Sequence, residues 1–477
     1  MIKESVRMRR EILVRLAKAF MGGNLIEKID RIPLEMRPKD ESNTSRCCVY
    51  RDRSLLKYRI MASLGVPIEE EIDELKTLSE YADEQLLLGK GLNQNKLTIL
   101  SEACTACKAK HHVVTNACQG CMAQGCISSC PRNAITKQND FAVIDTSKCI
   151  NCSKCVAACP YNAIVCMEPP CQQQCPVDAI HKEKNAKASI DFSKCIYCGK
   201  CIDSCPFSAV MDCSEMLFVL DKIKSDSHVT ALVAPSLMSQ FSASIEKTLS
   251  ALLQTGFDEV IEVAQGAEKT LVHEANEFAH RAQAEDFKFM TSSCCASYIE
   301  YASKHMPELL PMISDTPSPM HYSAKHAKQK NPNTTTVFIT PCVAKRVEAS
   351  KDENVDYVLT IEELVSLWVA KGINAESQQP ASADKLQDTA RKFASAGTVA
   401  SGLSNASTVP VKSALIDGIT SKTKFEIKQR LAGKFDDNFI EVMSCKGGCV
   451  GGIFTLTSSK RANKYLANHL ENLNESE

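Results

Sequence analysis

The alternation of apolar and polar residues divides this chain of 477 residues into three regions. In residues 1–100 apolar positions recur every three or four residues, as in "LVRLAKAF" and "IEEEIDELKTLSEYADEQLLL", and this spacing predicts a helical N-terminal segment. Residues 101–215 contain little core-forming sequence. In residues 216–477 short β-rich runs such as "HVTALVAPS", "TTVFIT" and "NFIEVM" alternate with helical patterns, which predicts an α/β domain with a largely parallel sheet.

Charge and hydropathy exclude several classes of function. The net charge is -1, so nothing calls for nucleic acid as a partner, and the lack of a long apolar run predicts no membrane span. Arg9 and Arg10 hint at a twin-arginine export signal, but Glu11, Arg15 and Lys18 interrupt the apolar stretch that such a signal needs. We therefore expect a surface amphipathic helix with a basic face, in a cytoplasmic protein.

The 25 cysteines change the picture of the middle region. Their CxxC and CxxxCP spacings, in a long chain without an evident signal, favour metal ligation over disulfide bonds. Residues 101–215 must then be organised by what the cysteines bind. Cys47 and Cys48 form an adjacent pair outside any motif, and we expect buried structural thiols there.

Two stretches carry four cysteines each in the spacing CxxCxxCxxxCP. They are "CINCSKCVAACP", with Cys149, Cys152, Cys155 and Cys159, and "CIYCGKCIDSCP", with Cys195, Cys198, Cys201 and Cys205. This is the bacterial ferredoxin spacing, in which three thiolates bind one iron–sulfur cube and the cysteine before proline binds a neighbouring cube. We therefore predict a duplicated, bacterial ferredoxin-like α+β domain over residues 101–215.

A less regular cysteine pattern also occurs twice, as "CMAQGCISSCPRNAI" at 121–135 and "CMEPPCQQQCPVDAI" at 166–180. These two copies are about as far apart in the sequence as the two CxxCxxCxxxCP stretches. The crosswise rule then predicts three complete 4Fe-4S cubes. Their ligands are Cys118, Cys121, Cys126 and Cys159 for the first, Cys130, Cys149, Cys152 and Cys155 for the second, and Cys175, Cys195, Cys198 and Cys201 for the third.

A fourth cube is incomplete on this pattern. It has Cys166, Cys171 and Cys205, but Ala163 stands where the first unit has Cys118. The missing ligand could be Cys213, Cys104 or Cys107, or else the cube has three irons or is absent. The stretch "CTACKAKHH" also contains two histidines, His111 and His112, which we expect to face solvent.

Three strands of the C-terminal region end in cysteines. "FKFM" leads into "TSSCCASY", "TTVFIT" into "PCVAKRVEA" and "NFIEVM" into "SCKGGCVGG". The carboxyl ends of strands in an α/β sheet converge on one crevice, so five thiols should meet there. Four would hold a cube and one would remain. A row of cubes that leads to such a site predicts a path for single electrons between a surface partner and a buried centre.

The three cysteine loops resemble the signatures of the iron-only, or FeFe-, hydrogenases. SSCCASY, TPCVAKRVE and EVMSCKGGCVGG follow the order and spacing of the family's TSCCPxW, MPCxxKxxE and ExMACxxGCxxGG, and the resemblance covers about residues 104–460. It implies an α/β catalytic domain whose 4Fe-4S cube is joined, through one cysteine sulfur, to a two-iron unit with CO, cyanide and a bridging azadithiolate. It implies the reaction 2H⁺ + 2e⁻ ⇌ H₂, with ferredoxin or a similar carrier and maturation enzymes as partners.

The resemblance also implies roles for single residues. The ligands of the active-site cube would be Cys295, Cys342, Cys445 and Cys449, of which Cys449 would bridge to the two-iron unit. Cys294 would then be the remaining thiol and would pass protons between the bridging amine and the protein. A thiol suits this task because it is a weak donor with a pKa within a few units of neutral.

Further positions match the family's proton path and outer contacts. Glu274 and Glu277 lie on one helix face, Glu277 precedes Cys294 by the family's interval, and Ser314 falls at the family's relay serine. The resemblance implies that Lys345 donates a hydrogen bond to one cyanide. It implies supporting contacts from Pro235, Ser236, Glu348 and Met443.

Departures from the signatures indicate a divergent branch, such as the one often called group B. Ala296 and Tyr298 replace the family's proline and tryptophan, and Thr340 replaces a methionine. Two other functions stay open. Hydrogenase-like proteins of iron–sulfur assembly share the fold without the two-iron unit, and a hydrogen sensor would signal through a partner, for which residues 1–100 offer an interaction module.

Overall fold

The computed structural model describes residues 3–39, 48–71, 73–89, 95–104, 107–182, 187–225 and 227–475. Cys47 lies outside the described residues, whereas Cys48 is half-buried just before a helix. None of the described helices combines the length and the apolar character needed to cross a membrane.

The N-terminal segment is helical, as predicted. Its elements are α1 (Glu4–Met21), α2 (Leu25–Lys28), α3 (Ile32–Met36), α4 (Val49–Ser63), α5 (Leu78–Leu88), β1 (Leu97–Ile99) and α6 (Ser101–Cys104). The apolar face of α1, including Ile12 and Leu16, is buried in the largest core cluster. The expected basic surface of α1 is only partly present, because Arg9 and Arg10 both contact Glu362 of the C-terminal domain, at 2.6 and 2.9 Å.

The cysteine-rich region consists of short antiparallel ribbons and one-turn helices. The strands are β2 (His111–Val114), β3 (Ile135–Gln138), β4 (Phe141–Ile144), β5 (Ile164–Met167), β6 (Ile180–Lys182), β7 (Ala188–Ile190) and β8 (Val210–Asp212). The helices are α7 (Gly125–Ser128), α8 (Lys154–Ala158), α9 (Pro170–Gln174) and α10 (Lys200–Ser204). Pairing joins β2 to β5, β3 to β4, β6 to β7 and β1 to β8. This is the predicted duplicated ferredoxin-like fold, and β1 extends it beyond the predicted boundary at residue 100.

The C-terminal region is an α/β domain with two parallel sheets rather than the single sheet that we predicted. Its strands are β9 (Val229–Val233), β10 (Glu259–Glu262), β11 (Met290–Thr291), β12 (Thr335–Thr340), β13 (Tyr357–Thr360), β14 (Ser413–Asp417) and β15 (Phe439–Met443). One sheet has the order β10-β9-β12-β13 and the other β11-β15-β14, and every neighbouring pair is parallel. The chain divides its strands between two sheets, so two sets of carboxyl ends can face one site from different sides.

Helices cover both sheets. They are α11 (Met216–Lys224), α12 (Pro235–Met238), α13 (Ile245–Thr255), α14 (Ala264–Arg281), α15 (Ala296–His305), α16 (Pro319–Lys330), α17 (Ala344–Ala349), α18 (Ile361–Lys371), α19 (Asp388–Lys392), α20 (Thr398–Ala406), α21 (Thr423–Leu431) and α22 (Ser459–Glu475). The ends of several are fixed by their own sequence. For example, Thr360 and Glu363 form a capping box that starts α18, and Gly372 in the left-handed region ends it.

A buried ion-pair group joins the ferredoxin-like region to the α/β domain. Arg346 on α17 is fully buried and bonds to Asp212 at the end of β8, to the Cys213 carbonyl oxygen and to both carboxylate oxygens of Glu363 on α18. Because each partner comes from a different element, this group fixes β8 relative to the elements that carry the site.

Candidate active site and cluster-binding cysteines

The carboxyl ends of β9, β11, β12 and β15 surround one cavity of about 640 Å³, part of it open to solvent. Its lining combines apolar side chains with thiols and a single amine. The residues predicted at the site that line this cavity are Pro235, Ser236, Cys294, Cys295, Cys342, Lys345, Met443 and Cys449. The three cysteine loops, which are up to 155 residues apart in the sequence, therefore meet as the strand pattern predicted.

Four thiols form one group at this cavity. Burial, followed by the neighbouring Cys295 thiol, raises the pKa of Cys342 to about 11 and of Cys449 to about 12. Burial also raises the pKa of Cys445, with Cys342, Cys295 and Cys449 as its neighbours. Four thiols buried together lose their protons only when a cation takes the place of the protons. The donor set therefore fits an iron–sulfur cube.

Cys294 lies beside this group but points to a different partner. Burial raises its pKa well above the ordinary value. The carboxyl group of Glu274 raises the pKa further, and it does so more strongly than the Cys295 and Cys449 thiols. Glu274 is 1 % exposed, and burial followed by the charge of Glu277 raises its pKa to about 8. Near pH 7 both groups therefore carry their protons. The two adjacent cysteines thus have different environments, one among thiols and one at the start of a row of acids.

A row of polar groups leads from Glu274 to the surface. The Ser314 hydroxyl lies beside the carboxyl group of Glu274, whose Oε1 has no hydrogen-bond partner, and donates to Glu277 Oε2 at 2.6 Å. Glu277 also accepts from the backbone N–H of Asp315 at 2.8 Å and pairs with Arg281 at 2.7 Å. Burial opposes the charge of Glu277, but these partners outweigh it and lower the pKa. The acid near the cavity is protonated and the acid near the surface is ionised.

Lys345 is the amine of the cavity, and it is held by Glu348. Its Nζ donates to Glu348 Oε2 at 2.6 Å, and Glu348 also accepts a hydrogen bond from Ser318. Burial favours the neutral amine, but the charge of Glu348 and its hydrogen bond to Lys345 raise the pKa of Lys345. The ammonium group is thus kept charged and available beside the thiols.

The lining also contains a polar atom without a hydrogen-bond partner. Ser236 is fully buried, yet its hydroxyl has no hydrogen-bond partner, although buried hydroxyl groups nearly always have one. Its backbone carbonyl oxygen accepts from Ser239 and Gln240, and Pro235 begins the short helix that turns the hydroxyl away from the strand. A cavity with a buried amine, an unpaired hydroxyl and the apolar side chain of Met443 fits a group that carries polar acceptors on an apolar surface.

Two further cavities lie in the first ferredoxin-like unit, and each is lined by one of the predicted ligand sets. Cys118, Cys121, Cys126 and Cys159 line a cavity of about 440 Å³. Cys130, Cys149, Cys152 and Cys155 line a second cavity of about 330 Å³. His112 lies at the second of these and bonds to Asn151 and Ser153. It is 3 % exposed, so the expectation that it faces solvent is wrong.

The third predicted ligand set is also brought together. Cys201 has the thiols of Cys198, Cys195, Cys175 and Cys171 as neighbours. Cys198 is in turn a neighbour of the active-site thiol Cys445. This set therefore adjoins the cavity, as the last member of an electron path should.

The incomplete fourth set looks different from the pattern read in the sequence. Cys171 has Cys205, Cys104 and Cys107 as its neighbouring thiols, and Cys166 is not among them. Cys213 is buried among charged side chains, chiefly Asp212 and Arg346. Cys166 lies instead on β5, opposite His112.

Arg281 and Thr316 are the parts of the site that the sequence did not predict. Arg281 follows Glu277 by one helical turn, a spacing that also occurs on any solvated helix surface. It links Glu277 to Asp315, whose side chain is exposed. Thr316 donates to Glu277 Oε2 at 2.8 Å. Apart from the local pair of Glu277 with Arg281, their contacts span 34 and 39 positions, between α14 and the segment before α16, so periodicity gave no signal for them.

Comparison with known proteins agrees with this geometry. Residues 227–453 match the family described as iron only hydrogenase large subunit, C-terminal domain. Residues 117–163 and 148–209 each match the 4Fe-4S dicluster domain.

Curated relatives are of two kinds. Iron hydrogenase 1 of Clostridium pasteurianum is 25% identical over 49% of this chain and 52% of its own length, so this chain spans about half of that relative. The periplasmic Fe hydrogenase large subunit of Nitratidesulfovibrio vulgaris is 28% identical over 65% of this chain and 85% of its own length. The cytosolic Fe-S cluster assembly factor NAR1 of Yarrowia lipolytica is 29% identical over 29% of this chain and 33% of its own length.

Among solved structures, a variant of the apo FeFe-hydrogenase HydA1 from Chlamydomonas reinhardtii is similar with a TM-score of 0.44 and 20% identity, over 52% of this chain and 88% of that chain. The family match covers all three cysteine loops of the cavity, and two dicluster matches precede it. The C-terminal domain of the chain therefore belongs to the iron-only hydrogenase family.

Proposed function

We propose that this protein is a hydrogenase that catalyses 2H⁺ + 2e⁻ ⇌ H₂ at its cavity. The cube would be held by Cys295, Cys342, Cys445 and Cys449, and the attached two-iron unit would supply the chemistry that makes and breaks H₂. The single observation that carries the proposal is the acid chain that begins at Cys294 and ends at Arg281. A protein that only stores or passes on iron–sulfur clusters has no need of such a chain.

The arrangement of the chain's own acids supports proton transfer in single steps. With Glu274 protonated and Glu277 ionised near pH 7, the Ser314 hydroxyl can accept from the first and donate to the second. A hydroxyl carries out both roles by rotating, which suits a relay. Cys294 exchanges a proton with Glu274 at the inner end, and Arg281 and Asp315 meet solvent at the outer end.

Two buried hydrogen-bond donors in the cavity lining support the proposed binding of the two-iron unit. The Ser236 hydroxyl and the Lys345 ammonium are buried donors, and a cyanide nitrogen is an acceptor that would satisfy either of them. Met443 would pack against the same group. Of the departures from the family signatures, Ala296 and Thr340 line the cavity, whereas Tyr298 bonds to Thr291 and does not line it. Such changes around a centre tune potential and pKa rather than ligation.

The surface of the first ferredoxin-like unit fits an electron carrier of the ferredoxin type. Residues 108–169 carry six lysine or arginine side chains against three acidic ones. Large apolar side chains next to its cysteines are exposed, with Met122 at 99%, Ile150 at 56% and Tyr161 at 52%. An acidic one-electron carrier would be attracted by the charge and would dock on the apolar surface close to the first cubes.

We further propose that maturation enzymes build the two-iron unit and that the protein is cytoplasmic.

A second function, in iron–sulfur cluster assembly, is favoured by the similarity to the NAR1 assembly factors. The two functions differ in whether the protein needs Cys294, which has no place among the four ligands of the cube.

The test compares the two adjacent cysteines in protein that has been matured anaerobically. Cys294→Ala should keep its iron and lose hydrogen production from a reduced viologen dye by about 10² to 10⁴-fold, the usual contribution of a positioned proton-transfer group. Cys295→Ala should lose a cube, which is about four irons. Loss of the cube from Cys294→Ala with intact iron in Cys295→Ala would reverse the two assignments. Full activity in both variants would show that the pair does not serve the reaction.

A further inference from the structure

The four cysteine–proline loops of the ferredoxin-like region are built alike. After Cys130, Cys159, Cys175 and Cys205, the alanine four residues later donates its backbone N–H to the cysteine sulfur, at 3.3, 3.4, 3.2 and 3.3 Å. The residue before each alanine lies in the left-handed region of φ. Each loop therefore closes one half of a two-cube unit, and four such halves make two units.

The first halves can be paired with the second halves by their hydrogen bonds. In one unit Thr115, directly after β2, donates to the Ala163 carbonyl oxygen at 2.8 Å, and β2 pairs with β5. In the other unit Leu100, directly after β1, donates to the Ala209 carbonyl oxygen at 2.7 Å, and β1 pairs with β8. Thus β1 has the place in its unit that β2 has in the other.

The helices extend the correspondence. Helix α7 packs against α8, and α9 packs against α10. In each of these four helices the second residue is a cysteine, namely Cys126, Cys155, Cys171 and Cys201. Element by element, β2, α7, β3, β4, α8 and β5 correspond to β1, α9, β6, β7, α10 and β8. We call the first set the outer unit and the second the inner unit.

This correspondence explains why the sequence repeat gave an incomplete fourth cube. Ala163 and Cys166 belong to the outer unit, where Ala163 closes the loop of Cys159 and Cys166 lies on β5 opposite His112. They cannot also begin the inner unit. The two dicluster matches overlap in residues 148–163, so they assign that stretch twice. The true first half of the inner unit is β1 with the CxxC pair that follows it.

We propose that the fourth cube is held by Cys104, Cys107, Cys171 and Cys205, and that the inner unit is a ferredoxin into which the outer unit is inserted between Cys107 and Cys171. The ligand pattern of the inner unit is then CxxC, a long insertion, and CxxxCP. Cys166 is a free thiol in this arrangement. The inference concerns the electron path of the proposed hydrogenase, but the ligand set does not depend on whether the protein makes hydrogen.

The neighbours of the four thiols support this set. Cys104 is 6 % exposed, and its pKa is raised by burial, with Cys205 and Cys107 as its neighbouring thiols. Cys171 has the same two neighbours in addition to Cys104. The Cys104 carbonyl oxygen accepts from Lys182 on β6, and the Cys107 N–H donates back to that of Cys104 at 3.0 Å. Cys104 is therefore held against the inner unit. Cys171 is also a neighbour of Cys201, which places this cube next to the third.

The experiment counts iron in the full chain after anaerobic reconstitution without the two-iron unit, together with the electron paramagnetic resonance spectrum of the reduced protein. Five cubes predict about 20 irons per chain. The double variant Cys104→Ala/Cys107→Ala should hold about 16, and so should the matched outer-unit variant Cys118→Ala/Cys121→Ala. Cys166→Ala should keep about 20 with an unchanged spectrum.

Loss of about four irons from Cys166→Ala would overturn the proposal, and so would an unchanged count in the Cys104→Ala/Cys107→Ala variant. If the double variant loses more than one cube, the single changes Cys104→Ser and Cys166→Ser show which of the two cysteines binds the fourth cube. A serine oxygen can replace a thiolate as ligand, so Cys104→Ser should alter the signal of one cube while Cys166→Ser alters none. The reverse result assigns Cys166 to the cube. None of these outcomes depends on hydrogen production, so failure here is distinct from failure of the proposed function.

Discussion

Replacing Ser314 by alanine should interrupt the proton path and leave the metal site intact. The Ser314 hydroxyl is the group between the two carboxyl groups, beside that of Glu274 and 2.6 Å from Glu277 Oε2. It is 5 % exposed, so bulk water has little access to its place. Removal of a positioned proton-transfer group commonly lowers turnover by about 10² to 10⁴-fold. We expect a loss in this range for Ser314→Ala in dye-driven hydrogen production.

Thr316 offers a matched control, because its hydroxyl donates to the same oxygen of Glu277, at 2.8 Å. It contacts Glu277 but does not lead to Glu274. In Thr316→Val the carboxylate keeps the hydrogen bonds from Ser314 and Asp315 and the ion pair with Arg281. The lost hydrogen bond should cost about 1–2 kcal/mol of folding stability. Turnover should change less than tenfold.

The assay is the rate of hydrogen production at equal content of iron and of infrared-active ligands, measured from pH 6 to pH 8. If Ser314→Ala and Thr316→Val lose activity equally, hydrogen bonding to Glu277 matters and relay through Ser314 does not. If Ser314→Ala retains full turnover, protons reach the cavity by another route.

Three further predictions follow from the structure. Arg346→Met should lower the free energy of unfolding by about 3–5 kcal/mol in denaturant titrations, because Asp212 and Glu363 would stay buried without their cation; a change below about 1 kcal/mol would contradict the role of this ion-pair group. Glu274 has a pKa of about 8 in the folded chain against 4.5 ordinarily, so between these pH values the folded chain keeps a proton on Glu274 that the unfolded chain has lost. The stability that this proton gives the folded chain is fully present below pH 4.5 and is lost as the pH rises to 8. Relative to wild type, Glu274→Gln should therefore gain up to about 1.4 kcal/mol per pH unit across that range, and a constant difference between the two proteins would refute the shift. Exposure to air should abolish hydrogen production irreversibly, because thiolate-bound low-valent iron is readily oxidised, and full recovery after prolonged exposure would refute this.

The sequence predicted those parts of the site in which a cysteine and the strand that positions it lie in one segment of the chain. Each cysteine loop directly follows a strand, so strand pattern and cysteine spacing together were enough to bring Cys295, Cys342 and Cys449 to one cavity. The division of the strands into two sheets was not predictable from the same pattern, because alternation shows which strands are buried but not which strands are neighbours.

The incomplete fourth cube of the sequence prediction has a different cause. A repeat search compares contiguous segments, and the inner unit is not contiguous, since its first strand and CxxC pair precede the outer unit. Cys166 stands in the outer unit at the spacing where the repeat required a cysteine. Pairing of β1 with β8 is a contact across more than 110 residues, and only the fold displays it. The same holds for Arg9 and Arg10, whose partner Glu362 is more than 350 residues away.

The infrared spectrum of anaerobically matured protein is the measurement that tests the central claim most directly. Bound CO and cyanide absorb where protein does not, so the spectrum reports the two-iron unit without depending on turnover. We predict sharp bands from both ligands in the wild type, retained in Cys294→Ala and Ser314→Ala and absent in Cys295→Ala. Wild-type protein that carries its full set of cubes, made in the presence of maturation enzymes, and yet shows no such bands would contradict the proposed hydrogenase and favour a role in iron–sulfur assembly.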